Sequence, residues 1–302
     1  MVSFTSGWLC YITHMKLIDT HTHTAYSGHG EGTPKQLVTT AIQKQLSTLA
    51  ITEHLPLPHE MDPEGVFSML PSQVPLYRQE VQEACLLAQE TDPQLEVICG
   101  VEIDWRDGAE GFILNQLQLA AESAFGPYQL LLGSVHMLTG EDPTDGYSFW
   151  PLDFDGAIDG WYSRGSRTVW ERYVAHWLDA VNSKVPFDIM THPDLPKKLG
   201  FKPDFDARPL WRQMAEAAAA AGLMIELNTS GLFNICTEVY PGPDLLAEFC
   251  RADVPCTISS DAHLPGNVNR AFQEAVLALV AAGYRHVTVP TADGDRQQIA
   301  LL

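Results

Sequence analysis

The chain has 302 residues, and its 38 acidic side chains against 18 basic ones give a net charge of −20. That balance argues against a nucleic-acid or anionic-membrane surface. The 45% hydrophobic content excludes a disordered chain. Against the acidity stand 11 histidines. No apolar run reaches about 18 residues, so no membrane span is expected. Six scattered cysteines with no CxxC pair fit a reducing, cytoplasmic compartment. Residues 1–14 lack the basic start and small-residue cleavage site of a signal peptide. Met15-Lys-Leu-Ile-Asp reads as a natural chain start, so 1–14 are expected to be an N-terminal extension and 15–302 a single domain.

In chain order the apolar patterning predicts a strand at 16–20, a helix at 33–45 and a strand at 47–52. A helix at 75–90 and strands at 95–102 and 129–135 follow. Then come helix 167–182, strand 187–191, helix 207–221, strand 223–228, helix 244–251, strand 255–260 and helix 267–282, with a last candidate strand at 286–290. No linker or repeat divides the series. Strands alternating with helices imply βαβ units and parallel pairing. Seven or eight such units predict an α/β fold closed, or nearly closed, into a barrel. A doubly wound open sheet is the alternative.

The chemistry follows the strands. The first ends in Asp19-Thr-His21-Thr-His23, with His29 soon after, and the second in Thr52-Glu53-His54. The third ends in Gly100-Val-Glu102-Ile-Asp104, the fourth runs into His136, and the fifth into Thr191-His192-Pro-Asp194. The sixth ends in Glu226-Leu-Asn228, the seventh in Ser260-Asp261-Ala-His263. In a parallel barrel these C-terminal ends share one face, where active sites are built. His21 and His23, two apart in extended chain, point to the same side and can reach one cation. So many imidazoles and carboxylates at one mouth would be a costly cluster of potential charges unless metal ions organised them. Nitrogen and carboxylate ligands without cysteine suit zinc, manganese or iron.

In order and spacing these motifs resemble the polymerase-and-histidinol-phosphatase (PHP) family. They are D-x-H-x-H at 19–23, His29, T-E-H at 52–54, G-V-E at 100–102, G-S-V-H at 133–136, T-H-P-D at 191–194 and S-D-A-H at 260–263. The resemblance runs over nearly the whole chain from residue 16. The segments His192-Pro-Asp-Leu-Pro-Lys-Lys-Leu-Gly, Leu227-Asn-Thr-Ser-Gly-Leu and Val239-Tyr-Pro-Gly-Pro point to the family's histidinol-phosphatase branch. The resemblance implies a distorted (β/α)7, TIM-like barrel with three divalent ions (zinc, manganese or iron) at the C-terminal strand ends. One ion would take His21, His23, Glu102 and Asp261. A second would share Glu102 and add His136 and His192. A third would take His29, His54 and His263. Asp19 and Glu53 would orient imidazoles or cap strand ends. Glu102, Asp261 and His263 would be the catalytic groups. The implied reaction is hydrolysis of a small phosphate monoester, histidinol phosphate in histidine biosynthesis. A metal-activated hydroxide would attack in line, with no phosphoenzyme.

One position departs from the branch. The Asn-Thr-Ser-Gly-Leu segment is there typically followed by Arg, and here by Phe233. The expected phosphate-side residues are therefore Lys198, with Arg208, Arg270 and Asn228 as further candidates. The missing Arg leaves open another small phosphate, such as a nucleotide or sugar phosphate. The aromatic-rich stretch 139–166 (Tyr147, Phe149, Trp150, Trp161, Tyr162) is either a lid over the alcohol portion or an ordinary anchored loop. Proofreading nuclease activity lacks a basic groove and a polymerase module. An amidohydrolase would leave His29, His54 and His263 unused, and a non-catalytic binding module would not need intact metal positions.

Overall fold

A computed structural model describes residues 15–142 and 146–301, so the extension expected at 1–14 lies outside it. Seven parallel strands form the central sheet: β1 (Leu17–Asp19), β2 (Leu46–Ile51), β3 (Glu96–Asp104), β4 (Leu130–Ser134), β7 (Ile189–Met190), β8 (Met224–Asn228) and β9 (Cys256–Ser259), in that spatial order. Thr20 N–H donates to Ile258 O at 3.3 Å and His23 N–H to Ala262 O at 2.9 Å, bringing β9 back to β1 and nearly closing the barrel. The alternative of an open doubly wound sheet is thereby set aside. The fifth strand is only two residues long, yet it pairs with both neighbours.

The helices sit where apolar residues recur every three to four positions. They are α1 (Pro34–Gln43), α2 (Val74–Thr91), α3 (Glu110–Glu122), α4 (Ile158–Arg164), α5 (Ser166–Asn182), α6 (Arg208–Ala221), α7 (Pro243–Arg251) and α8 (Phe272–Ala282). In α1, Thr33 and Gln36 form a reciprocal capping box with Pro34 in the first turn. In α6, Trp211, Met214, Ala215 and Ala218 make the buried stripe, and Gly222 ends the helix at φ 67°. The start of the last predicted helix moves from 267 to Phe272, because Ala271 lies in the left-handed region at φ 54° and cannot continue a helix. Helix α3 was not predicted. Only Ile113 of its residues is fully buried, and the exposed Phe112 and Leu119 spread its apolar residues round the helix, so no narrow stripe stands out.

Along the inward face of the strands, apolar residues lie low and ionisable ones high. Ala50, Ile98, Leu130, Leu132, Ile189 and Met224 form one small core cluster. Glu102 follows Ile98 by four residues and Glu226 follows Met224 by two, on the same faces. The candidate strand at 286–290 forms, as β10 (His286–Pro290), but pairs antiparallel with β11 (Arg296–Ala300), outside the barrel. Ala292 N–H donates to Glu96 and Ala292 O accepts from Gln129, so the hairpin's turn covers the N-terminal ends of β3 and β4.

The stretch 139–166 holds a second hairpin, β5 (Met137–Asp142) with β6 (Gly146–Pro151), and then α4. Trp150 and Trp161 are buried edge to face at 5.8 Å, and Trp161 stacks on Phe201 at 4.7 Å. They are anchors, while Tyr162 is 76% exposed. The side chain of Tyr147 lies outside the described residues. No helix among the described residues is long and apolar enough to cross a membrane.

Candidate metal centre

The C-terminal strand ends converge on Glu102, which is buried at the end of β3. Its Oε2 lies 3.2 Å from His21 Nε2, 3.4 Å from His23 Nε2 and 3.1 Å from His54 Nδ1. Its Oε1 lies 3.1 Å from His192 Nε2 and 3.7 Å from His136 Nε2. Asp261 Oδ1 stands 3.3 Å from His23 Nε2 and 3.9 Å from His21 Nε2. His263 stacks on His23 at 4.2 Å, and His29 lies 4.8 Å from His263 and 5.3 Å from His54 between ring centroids. All seven expected histidines and both carboxylates are therefore in one cluster.

The orientation of these rings is set from behind. His21 Nδ1 donates to Glu226 at 3.0 Å, His23 Nδ1 to Glu53 at 3.2 Å, and His136 Nδ1 to Asp104. His29 Nδ1 donates to the carbonyls of Ser27 and Val66, at 2.9 and 3.0 Å. Each arrangement fixes the tautomer that presents Nε2 as a lone-pair donor, as behind metal-bound imidazoles. His21 and His23 present these nitrogens to one another at 3.0 Å. His54 Nδ1, His192 Nδ1 and Glu102 Oε2 are buried without a hydrogen-bond partner. Buried polar atoms are rarely left so. Three overlapping groups, His21/His23/Glu102, His54/Glu102/His136 and His23/His54/His263, have their ligand atoms within 4.8 Å of one another. The donor set and its orphaned atoms fit divalent cations. His192 (φ 23°) and Asp261 (φ 50°) also hold strained backbone conformations, which cluster at functional sites.

The charges respond accordingly. Burial would raise the carboxyl of Glu102, but His21, His54 and His136 around it hold it well below the usual range. Burial opposes protonation of His136, yet Asp104 and Glu102 lift it to about 10. His23 is likewise lifted to about 9 against burial, by Asp261 and Glu53. Burial and the neighbouring His23 push His263 down to about 3.

A cavity of about 550 Å³ opens onto this cluster. Lys198 and Arg270 both line it. Lys198 Nζ pairs with Asp153 at 2.8 Å, whereas the adjacent Lys197 is buried, holding Asp194 and the Val239 carbonyl, each at 2.8 Å. Arg270 lies over the ring of Phe233, 4.4 Å from its centroid, and its buried Nε has no hydrogen-bond partner.

Two expectations need correction, and one pair of alternatives is decided. Arg208 is far from the cavity in chemistry and place: it starts α6, lies exposed and chelates Asp206 at 2.7 and 2.8 Å. Asn228 is fully buried, and its amide donates to Glu226 and Asp261, so it braces the carboxylates instead of meeting a substrate. Of the two roles expected of Asp19, orienting an imidazole or capping a strand end, the second is the one its contacts support. Asp19 accepts from Ser260 N–H, Ser260 Oγ and Asn269 N–H, tying β1 to the end of β9. Of the remaining histidines, His176 is buried and hydrogen-bonds the Arg172 carbonyl and Thr139. The sequence reading assigned no role to Glu226, Asp104 or Asp153. Glu226 had a signal, a lone acid amid apolar strand residues, and Asp104 had another, its place two residues beyond Glu102. Asp153 follows a hairpin and carries no local pattern.

The sequence pattern described as "PHP domain" matches residues 19–230. A protein of Deinococcus radiodurans named "Probable histidinol-phosphatase" is 32% identical over 90% of this chain and 96% of its own length. The "Histidinol-phosphatase" of Bacillus subtilis is 27% identical over 86% of this chain and 98% of its own. The fold is also that of a crystal structure of histidinol phosphate phosphatase from Lactococcus lactis, which contains zinc, L-histidinol and phosphate. That likeness has a TM-score of 0.70 at 21% identity, over 92% of this chain and 98% of the other.

Proposed function

The chain belongs to the PHP-domain family, and on that premise we propose that it is a metal-dependent phosphomonoesterase hydrolysing L-histidinol phosphate to L-histidinol and phosphate. The observation that carries this reading is the convergence of seven imidazoles and two carboxylates, with Nδ1 of His21, His23 and His136 each held by a carboxylate from behind. His21, His23, Glu102 and Asp261 would hold one cation. Glu102, shared with His136 and His192, would hold a second, and His29, His54 and His263 a third. Bound there, the cations supply Lewis acidity toward phosphate oxygens and an activated water. Lys198 and Arg270 face the same cavity and would neutralise the remaining phosphate charge. Asp261 and His263 line the cavity as ligands without a proton of their own, so the leaving alkoxide would take its proton from a water in the cavity. Glu226, Glu53 and Asp104 keep the imidazoles in the donor tautomer throughout.

A second reading is supported by Phe233, which stands exposed where the histidinol-phosphatase branch carries Arg. On it the same chemistry acts on another small phosphate, such as a nucleotide or sugar phosphate. Protein purified without chelator should contain about three equivalents of zinc, manganese or iron. It should release phosphate from L-histidinol phosphate faster than from any other member of a panel of nucleotide, sugar and aryl phosphates. Turnover of L-histidinol phosphate no better than that of a generic aryl phosphate would remove the specific substrate and leave the phosphomonoesterase.

A further inference from the structure

We propose that Asp153 is a specificity carboxylate that receives a cationic nitrogen on the alcohol portion of the substrate, so that the preferred class is the phosphate monoester of an amino alcohol. This rests on the phosphomonoesterase reading and adds to it a residue and the group that residue recognises.

The cavity has four carboxylates in its lining: Glu102, Asp104, Asp153 and Asp261. Glu102 and Asp261 face imidazole nitrogens, and Asp104 holds His136. None of the described contacts joins Asp153 to an imidazole. It also comes from a different part of the chain. The others follow barrel strands, whereas Asp153 lies just beyond β6, in the turn that leads into α4. Its Oδ2 accepts from Lys198 Nζ at 2.8 Å, which anchors the carboxylate, and its side chain remains partly accessible. Burial would raise this carboxyl, but the Lys198 ammonium, with the more distant His136 and His192, holds it below the usual range.

An ionised carboxylate is an odd fixture beside a dianionic phosphate. It repels the substrate and ties up a lysine that could otherwise serve the phosphate alone. The arrangement makes sense if the substrate brings its own cation. A carboxylate offers about four lone-pair sites. With Oδ2 spent on Lys198, Asp153 can still accept from a substrate ammonium, and Lys198 would then stand between substrate phosphate and Asp153. Val66, Phe67, Met137 and Phe154 line the same cavity and offer apolar surface to the carbon skeleton between the two charges. A site built to answer a buried charge rejects the analogue that lacks it, because its own group is then left unpaired.

The test compares three esters on the metal-loaded protein: L-histidinol phosphate, its des-amino analogue and 4-nitrophenyl phosphate. The wild-type protein should prefer the first over the second by about 30-fold or more in kcat/KM. In Asp153→Asn that preference should shrink to about threefold, with kcat/KM on L-histidinol phosphate falling about tenfold further than on 4-nitrophenyl phosphate, which shares only the Lys198 contact. Inhibition by L-histidinol should weaken, and inhibition by inorganic phosphate should not. Equal wild-type turnover of the amine and des-amino esters overturns the proposal, and this arm needs no variant to fold. Parallel loss on all three esters in Asp153→Asn, with unchanged L-histidinol inhibition, also overturns it, since that is what positioning Lys198 alone would do. Wild-type inactivity on all three esters would instead sink the phosphomonoesterase reading, and this one with it.

Discussion

The cavity at the strand ends and the groove between α6 and α7 are both lined by ionisable side chains, and they differ in how those charges are spent. The groove is the larger, about 730 Å³ against 550 Å³. In it Lys197 pairs with Asp194, Lys202 with Glu238, Arg208 with Asp206 and Arg251 with Glu248. Each cation has its anion, mostly in water, where such pairs contribute little. In the cavity His21, His23, His29, His136 and His263 have spent one nitrogen on a carboxylate or carbonyl. There His54, His192 and Glu102 keep buried atoms with no partner. Size does not mark the site here. Donors aimed at one another, most of them backed by a fixed acceptor, do mark it.

The contrast is broken most severely at its centre. Replacing Glu102 by Gln removes the charge within 3.7 Å of five imidazoles. Phosphate release should fall by about 10³-fold or more, with metal content falling and the circular dichroism of the fold retained. Retained turnover would remove Glu102 from its bridging position. One step back, Glu226→Gln leaves every proposed ligand in place and changes what holds His21, the His192 amide, Asn228 and Ser259. Metal affinity should then drop about 10–100-fold, as for other residues behind a metal ligand, measured by competition with a chromogenic chelator. An unchanged affinity would mean that His21 does not need its carboxylate.

Much of this was legible beforehand, for physical reasons. All seven barrel strands could be placed because strands covered on both faces read as continuous apolar runs, as in Leu46–Ile51. The ligands could be placed because a parallel barrel brings its strand ends together whatever the loops do. What escaped depends on contacts between distant segments. In helix α3 the apolar residues spread round the axis, so no narrow stripe shows. The choice of Lys198 over Lys197 rests on the resemblance; its physical reason, the 3₁₀ turn Leu195–Leu199 that sends Lys197 inward to Asp194 and Lys198 to Asp153, is not visible in the sequence. Arg208 and Arg270 look alike in sequence, yet Arg208 has a neighbouring acid two residues before it and Arg270 has only the face of Phe233.

The same contrast appears in the response to pH. Without metal, the folded pKa values of His23 and His136, about 9 and about 10, lie above the ordinary 6.5. Their contribution to stability is fully present below pH 6.5 and lost as pH rises through 9 and 10. His263, held near 3, works in the opposite sense: its contribution is present above pH 6.5 and lost as pH falls toward 3. The metal-free protein should therefore be most stable near pH 6.5, with Tm falling on both sides. Cations need deprotonated imidazoles, so the gain in Tm on adding zinc should widen as pH rises. A metal-free Tm that climbs steadily through pH 9 would contradict the assigned charges. The groove should contribute almost nothing to activity. Arg208 is exposed and its guanidinium is already spent on Asp206, so Arg208→Ala removes a solvent-screened surface pair and no substrate contact. Its kcat/KM should stay within about twofold of wild type. Arg270→Leu, by contrast, should lose about tenfold, mostly in KM, because it deletes a guanidinium in the cavity with no carboxylate partner among the described residues. If Arg208→Ala were the more damaging of the two, the phosphate would have to approach from the groove, and the assignment of the two cavities would be reversed.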